Sequence, residues 1–218
     1  MIALRLVLIA VIAYTLGSIN GAILISRFVY HRDVRKYGSH NAGLTNFYRT
    51  FGGTSAAFVI LIDVVKSVVA ILLGGLIMRG AGAAEVGKLF AGFCLILGHI
   101  FPAIHHFRGG KGAMCGLIMT FLVDWRVGLC VLLTFLIVVV FTRYVSLGSM
   151  LGSLACPISM LIFGHTVFCC ILALLSALLI IVQHAENILR LIGGTERKLE
   201  LHAHRLRRGE EENEDDLQ

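Results

Sequence analysis

Three short polar stretches interrupt an otherwise apolar sequence, and their side chains suit the binding of anions. The first reads YGSHNAGLTNFYRTFG at residues 37–52, the second GHIFPAIHHFRGGKGAMCG at residues 98–116, and the third HAENILRLIGGTERKLE at residues 184–200. Together they supply arginine, lysine, histidine and asparagine side chains beside closely spaced glycines. Charge-assisted hydrogen bonds and converging backbone N–H groups both favour phosphate groups. The sequence therefore predicts a protein that handles phosphorylated compounds.

The second stretch has the composition of a phosphate-binding turn. Gly109, Gly110 and Gly112 allow successive backbone N–H groups to converge, and Arg108 and Lys111 add full positive charges. Because a helix is predicted to follow, its N-terminus would add further donors. The turn is not a Walker A loop, since Lys111 is followed by glycine and not by serine or threonine. In the alternative interpretation, Lys111 is only a positive anchor at the membrane surface.

The first stretch offers hydrogen-bonding side chains between two glycines. Ser39, Asn41, Asn46 and Arg49 are candidates to bind or position an anionic substrate. Polar residues in a loop carry function more often than polar residues in a core. The alternative is a solvated loop that caps helix ends.

The third stretch predicts a short helix with one polar stripe. His184, Asn187 and Arg190 are spaced i, i+3 and i+6, so they share one face of a helix. The glycines at 193 and 194 then end the helix. The alternative is an interfacial helix whose cations extend toward water.

The rest of the chain predicts an all-α, polytopic membrane protein that positions these stretches. The mean hydropathy is +0.87, 57% of residues are hydrophobic and 15% are charged, which lies outside the range of soluble proteins. A helix needs about 20 residues to cross a bilayer. Counts of five to seven spans fit the sequence, and about seven are predicted, near 2–26, 54–78, 87–104, 111–124, 127–142, 145–163 and 166–183.

Positive residues predict the orientation of the chain. Lysine and arginine concentrate in segments 27–49 and 108–111 and beyond residue 190, and cytoplasmic loops carry such residues preferentially. The N-terminus is therefore predicted outside, the C-terminus inside, and all three stretches on the cytoplasmic face. Residues 1–199 are expected to form one membrane domain. Residues 200–218 are expected to be a polar, disordered tail without an assigned function.

Two further features predict structure and not chemistry. Asp63 and Lys66 are spaced i, i+3 inside the second span, where an isolated charge costs at least about 2.5 kcal/mol. We therefore expect them to pair with each other or with a residue of one of the three polar stretches. The six cysteines lie in apolar spans without a C-x-x-C pair, so we predict neither a metal site nor a disulfide framework.

The order of GSHNAGLTNFYR, GHIFP…FRGGKG and HAENILRLIGGTE resembles the three motifs of the bacterial acyl-phosphate:glycerol-3-phosphate acyltransferase family (PlsY), over residues 14–199. This resemblance implies a seven-helix fold in the inner membrane that transfers a fatty acyl group from acyl phosphate to glycerol 3-phosphate, giving lysophosphatidic acid. It also implies a supply of acyl phosphate from a soluble synthase. No metal, coenzyme A or other cofactor is expected, and no nucleic acid partner.

The resemblance also implies roles for single residues. Ser39, Arg49, His184 and Asn187 match motif positions needed for activity. The residues that match the loop holding glycerol 3-phosphate are Gly109, Gly110, Lys111 and Gly112, whereas Glu196 matches a position that supports structure. The chain departs from the family where His40 and Ser67 replace glycines and where Arg108 replaces lysine. Either His184 or a substrate phosphate oxygen is expected to take the proton of the attacking hydroxyl, with slight preference for the phosphate.

Two other classes of protein fit parts of the pattern. An organophosphate anion transporter would also need cationic, glycine-rich segments, but we would expect binding sites near the bilayer midplane and repeated halves. A noncatalytic membrane scaffold would not need three polar stretches of this composition. The H-x-x-x-x-D motif of another acyltransferase class is absent from the sequence, because none of the nine histidines has aspartate five positions later.

Overall fold

A computed structural model describes residues 1–199, in which every regular element is a helix. The predicted tail at 200–218 lies outside the described residues. The ten α-helices are α1 (Ile2–Ser18), α2 (Gly21–Tyr30), α3 (Leu44–Phe51), α4 (Gly53–Arg79), α5 (Ala84–Ile100), α6 (Ala113–Val123), α7 (Trp125–Thr142), α8 (Val145–Ile162), α9 (Val167–Val182) and α10 (Ala185–Ile192).

The helical membrane architecture predicted from the sequence is confirmed. Five segments are long and apolar enough to cross a bilayer, namely α1 with α2, then α4, α5 extended to His105, α7 and α8. The pair α9 and α10 reaches span length together, with a bend of 59° between them. Only α6, with 11 residues, is short for a span. All seven predicted apolar segments are therefore helical.

The first predicted span is broken, which the hydropathy pattern did not reveal. Between α1 and α2, Ile19 and Asn20 leave the helical conformation, so backbone groups in an apolar environment lose their helical partners. Lys66 Nζ donates to the carbonyl oxygen of Ile19 at 2.5 Å, and the N–H of Gly21 donates to Asp63 Oδ1 at 3.5 Å. Asp63 and Lys66 also pair with each other at 2.8 Å, as expected. The buried ion pair thus supplies hydrogen-bond partners to backbone groups on both sides of the break.

Glycines bring the helices of the core together. Gly17 on α1 lies against Gly98 on α5, with backbone of each helix in direct contact with the other. Gly148 and Gly152 on α8 lie against the backbone of α7, as small residues allow in closely packed membrane helices. Helix α5 is buried between α1 and α4, and the α6–α9 group completes the other side of the molecule.

Candidate functional site

One cavity of about 460 Å³ joins the three polar stretches, which confirms that they lie together. This volume is within the range of small-molecule sites. Its polar end is formed by residues from all three stretches, including Ser39, Asn41, Asn46, Arg49, Lys111, Gly112, His184, Asn187, Arg190 and Glu196.

Asn46 anchors the first stretch instead of presenting its amide to a ligand. Its Nδ2 lies 3.0–3.1 Å from the carbonyl oxygens of Val34, Tyr37 and Asn41, and its Oδ1 accepts the N–H of Ser39 at 2.9 Å. Since an amide nitrogen has only two hydrogens, no donor remains for phosphate. The phosphate contact expected of Asn46 is therefore replaced by a role in holding the loop.

Other side chains of the first stretch line the cavity. The hydroxyl of Ser39 and the amide of Asn41 form no side-chain hydrogen bonds within residues 1–199, and both residues are part of the cavity wall. Arg49 Nη2 donates to the carbonyl oxygens of Arg197 and Lys198 at 3.3 and 3.2 Å. Arg49 thereby connects α3 to the segment that follows α10, at the mouth of the cavity.

His40 stands at a position where the family pattern has glycine. Its backbone φ is 56°, in the left-handed region that favours glycine. The ring Nδ1 lies 3.2 Å from the carbonyl oxygen of Arg35 and donates to it. For an L-residue this conformation costs roughly 1–2 kcal/mol. His40 therefore adopts a backbone conformation that glycine would take without this cost.

The glycines of the second stretch shape the turn from within. The N–H groups of Gly109 and Gly110 donate to the carbonyl oxygens of Ile100 and His99, each at 3.0 Å. A Cβ at Gly110 would collide with the His99 ring, and one at Gly109 with the His99 carbonyl. These two N–H groups consequently do not converge on a ligand, contrary to the expectation. The two glycines instead permit the close approach of the turn to α5.

Arg108 lies outside the cavity wall, contrary to its predicted place beside a phosphate. It is exposed, and its carbonyl oxygen accepts a hydrogen bond from Arg35 Nη1 at 3.0 Å. Lys111 and Gly112 are the members of this charged turn that reach the cavity. Helix α6 begins directly after them at Ala113, where first-turn N–H groups lack helical acceptors.

Lys111 is the half-buried cation of the polar end. Its Nζ donates to Asn187 Oδ1. Burial, together with the charge of Arg190, lowers the pKa of Lys111 to about 8, although Glu196 partly offsets this effect. Lysine has three N–H donors, so two remain for a ligand. Lys111 is therefore cationic at neutral pH and close to its titration range.

Glu196 organises the third stretch. Its Oε1 accepts from Asn187 Nδ2 and Ser146 Oγ, both at 2.6 Å, and its Oε2 accepts from Arg190 Nε at 2.8 Å. Burial raises the pKa of Glu196, but these hydrogen bonds outweigh burial and hold it below its usual range. The network continues through Asn187 to Lys111. Ser146, on α8, was not predicted from the sequence, because an isolated serine in a span carries no distinguishing pattern.

His184 lies at the start of α10 with a defined tautomer. It is buried, and its Nδ1 lies 2.8 Å from the carbonyl oxygen of Ile180. A carbonyl oxygen only accepts, so Nδ1 carries the proton, and in the neutral ring Nε2 is an acceptor. The Nδ1 donor of His184 is thus used within the protein, and Nε2 offers a lone pair to the cavity.

The other end of the cavity is apolar and lies between the membrane helices. Its wall includes Met119 of α6, Val131 and Phe135 of α7, Cys156 of α8 and Ala173 of α9. From Ser146 to Cys156 the wall extends roughly 15 Å along α8. The cavity therefore combines a cationic end with an apolar end. Within residues 1–199, no group of three or more histidine, cysteine, aspartate or glutamate side chains is arranged to hold a metal ion.

Comparison with known proteins agrees with this arrangement. The family model described as glycerol-3-phosphate acyltransferase matches residues 7–194. Glycerol-3-phosphate acyltransferases of Thermoanaerobacter sp. (strain X514) and Clostridioides difficile (strain 630) are 42% and 39% identical, each over 88% of this chain and 95% of the relative.

Solved structures of PlsY (YgiH), an integral membrane glycerol 3-phosphate acyltransferase, share the fold. Its glycerol 3-phosphate form superposes with a TM-score of 0.81 at 30% identity, over 89% of this chain and 96% of that chain. Its lysophosphatidic acid form gives a TM-score of 0.78 at 29% identity, over 89% and 95%. With the motifs, the helical fold and the matched length in agreement, this chain belongs to the glycerol-3-phosphate acyltransferase family.

Proposed function

We propose that this protein transfers a fatty acyl group from acyl phosphate to glycerol 3-phosphate, releasing phosphate and lysophosphatidic acid. The observation that carries this proposal is the single cavity with a cationic end and an apolar end. An acyl phosphate has the same two-part character, and glycerol 3-phosphate needs only the cationic end. The glycerol 3-phosphate and lysophosphatidic acid forms of PlsY support the same acceptor and product.

The phosphate of glycerol 3-phosphate binds beside Lys111 in this proposal. Lys111 supplies charge and two free donors, and Gly112 leads into the N-terminus of α6. Ser39 and Asn41 add a hydroxyl and an amide from the facing loop. Gly109 and Gly110 act indirectly, by holding the turn that presents Lys111. Asn187 is likewise a positioning residue, because both ends of its amide are occupied by Lys111 and Glu196.

The chemical step is direct acyl transfer between two bound substrates. The glycerol hydroxyl oxygen attacks the acyl carbonyl carbon, the bond from that carbon to the phosphate oxygen breaks, and phosphate leaves with the electron pair. The proton of the hydroxyl ends on the leaving phosphate. His184 Nε2 accepts a hydrogen bond from the hydroxyl and orients it before attack. Because acyl phosphate is already activated, most of the rate comes from holding two anions in reactive geometry.

The acyl chain occupies the apolar end of the cavity, between α6, α7, α8 and α9. The position of this apolar end between the membrane helices suits a product that is itself a membrane lipid. The polar end faces the cytoplasm of a bacterial inner membrane, with the N-terminus outside and the C-terminus inside. This orientation places the site where a soluble acyl-phosphate synthase can deliver its product. It follows from the basic residues that surround the polar end.

The donor is tested with the purified protein in lipid nanodiscs. Phosphate and lysophosphatidic acid should form in equal amounts from acyl phosphate and glycerol 3-phosphate, and acyl-CoA should not replace acyl phosphate. Activity should also survive EDTA. Product formation from acyl-CoA at a similar rate would refute the donor assignment. Uptake of glycerol 3-phosphate into sealed vesicles without acyl donor would favour a transporter instead.

A further inference from the structure

A buried polar cluster beneath the second stretch is not used by the proposed chemistry. It consists of Asp63 and Lys66 on α4 and His99 on α5, each only 4–5% exposed. Lys66 Nζ lies 2.8 Å from Asp63 Oδ1 and 2.9 Å from His99 Nδ1. Asp63 and His99 also belong to the wall of the cavity. The cluster therefore connects the broken first span to the substrate site.

The Lys66 contact determines the tautomer of His99. An ammonium group has donors only, so His99 Nδ1 must accept the hydrogen bond from Lys66. The neutral ring then carries its proton on Nε2. Within residues 1–199, Nε2 has no hydrogen-bond partner. Lys66 is itself fixed by Asp63 and by the carbonyl oxygen of Ile19. A single N–H donor is thus held in a defined orientation.

The position of this donor points to the substrate. A Cβ added at Gly110 would collide with His99 Nε2, so the ring edge lies directly against the turn. The next residue along the chain is Lys111, the cation of the polar end. The backbone carbonyl of His99 also accepts the Gly110 N–H at 3.0 Å. His99 therefore supports the turn through its backbone carbonyl, and its side-chain Nε2–H lies beside the same turn.

We propose that His99 Nε2–H donates a hydrogen bond to a phosphoryl oxygen of glycerol 3-phosphate, beside Lys111. Asp63 and Lys66 are positioning residues that hold His99 in the donor tautomer. This inference rests on the proposed placement of glycerol 3-phosphate at Lys111. It assigns a binding function to a membrane-buried cluster that otherwise only closes the break between α1 and α2.

Nitrogen-15 NMR of the histidine-labelled wild-type protein in nanodiscs tests the tautomer and the contact without any substitution. The His99 signals are assigned by their loss in His99→Asn. We expect Nε2 to be protonated in the free protein and its N–H proton to shift downfield when glycerol 3-phosphate is added. A proton on Nδ1, an unchanged Nε2–H signal at saturation, or a response only to a non-reactive acyl phosphonate would overturn the proposal.

Substitutions then separate the donor from a purely structural role. Asparagine at position 99 can keep a group near Nδ1 but loses the donor at Nε2, whereas glutamine places an amide nitrogen near the Nε2 position. His99→Asn should raise the KM for glycerol 3-phosphate about 10- to 150-fold, the range for a hydrogen bond to a charged group. His99→Gln should recover most of this loss, and kcat should change little in either variant.

The matched control is His106→Asn, an exposed histidine in the same stretch, which should keep the wild-type KM. Thermal unfolding of each variant checks its folding. Equal KM increases in folded His99→Asn and His99→Gln would contradict the donor role. If Lys111→Ala raises KM while His99→Asn does not, the placement of glycerol 3-phosphate survives and the inference about His99 fails. If neither changes KM, the placement itself is refuted.

Discussion

The affinity for glycerol 3-phosphate should fall as Lys111 loses its proton. Because burial lowers the pKa of Lys111 to about 8, the side chain is mostly cationic at pH 7 and mostly neutral at pH 9. The charged fraction falls about tenfold over these two pH units. The substrate phosphate, with a second pKa of about 6, keeps its double charge throughout. Loss of binding across this range therefore reports the protein and not the substrate.

Two variants measure how much the charge of Lys111 contributes to the binding of glycerol 3-phosphate. Lys111→Ala removes a charge-assisted hydrogen bond worth about 1.5–3 kcal/mol, so the KM for glycerol 3-phosphate should rise about 10- to 150-fold at pH 7. The effect falls mainly on KM, because the contact is made in both ground state and transition state. Lys111→Arg keeps a positive charge through pH 9 and should abolish the pH dependence of KM, whatever its absolute value.

The assay is a full set of rate-versus-concentration curves for glycerol 3-phosphate at saturating acyl phosphate, from pH 7 to pH 9. Wild-type KM should rise about tenfold over this range if Lys111 supplies the dominant charge. A flat wild-type profile would refute the titration of Lys111 as the cause. An equal rise in Lys111→Arg would do the same. Wild-type KM in a folded Lys111→Ala variant would refute the contact itself.

Three further predictions follow from the cavity and its surroundings. Gly110→Ala should lower the free energy of unfolding by about 1–3 kcal/mol, because its Cβ overpacks against the histidine ring behind it; an unchanged melting temperature would contradict this contact. Cys156→Phe should shift donor preference toward shorter acyl chains by at least about fourfold in relative kcat/KM, the contribution of one buried methylene, whereas Cys130→Phe, outside the cavity wall, should not. Single cysteines introduced at Ser39 and Thr195, in a cysteine-free background, should react with a thiol reagent only from the cytoplasm. Labelling of either cysteine from outside intact cells would refute the proposed orientation.

Much of the helical framework could be predicted because its signal is local. The predicted ends of four apolar spans agree within a few residues with the ends of α4, α7, α8 and α9. The grouping of the three polar stretches in one cavity agrees with the common face that the basic residues predict for them. The break at Ile19 and Asn20 could not be seen in the same way. Its broken ends are satisfied by Asp63 and Lys66, more than forty residues away along the chain.

The detailed roles within the site were harder to predict for the same reason. Closely spaced glycines beside Arg108 and Lys111 predict a phosphate-binding turn, yet the N–H groups of Gly109 and Gly110 donate to carbonyl oxygens of α5. The sequence predicts that Asn46 contacts a phosphate, but three loop carbonyl oxygens lie within hydrogen-bonding distance of its amide nitrogen. Sequence spacing identifies which residues can hydrogen-bond. Which partner each of these residues bonds depends on backbone groups that come close only in the folded protein.

The most direct test of the central claim follows the oxygen of the glycerol hydroxyl. Glycerol 3-phosphate carrying oxygen-18 in its free primary hydroxyl is incubated with the purified protein and acyl phosphate, and both products are analysed by mass spectrometry. Attack of the hydroxyl on the acyl carbon predicts that the label appears in the ester of lysophosphatidic acid, with none in the released phosphate. Label in a new bond to phosphorus, with release of free fatty acid, would contradict acyl transfer in this cavity.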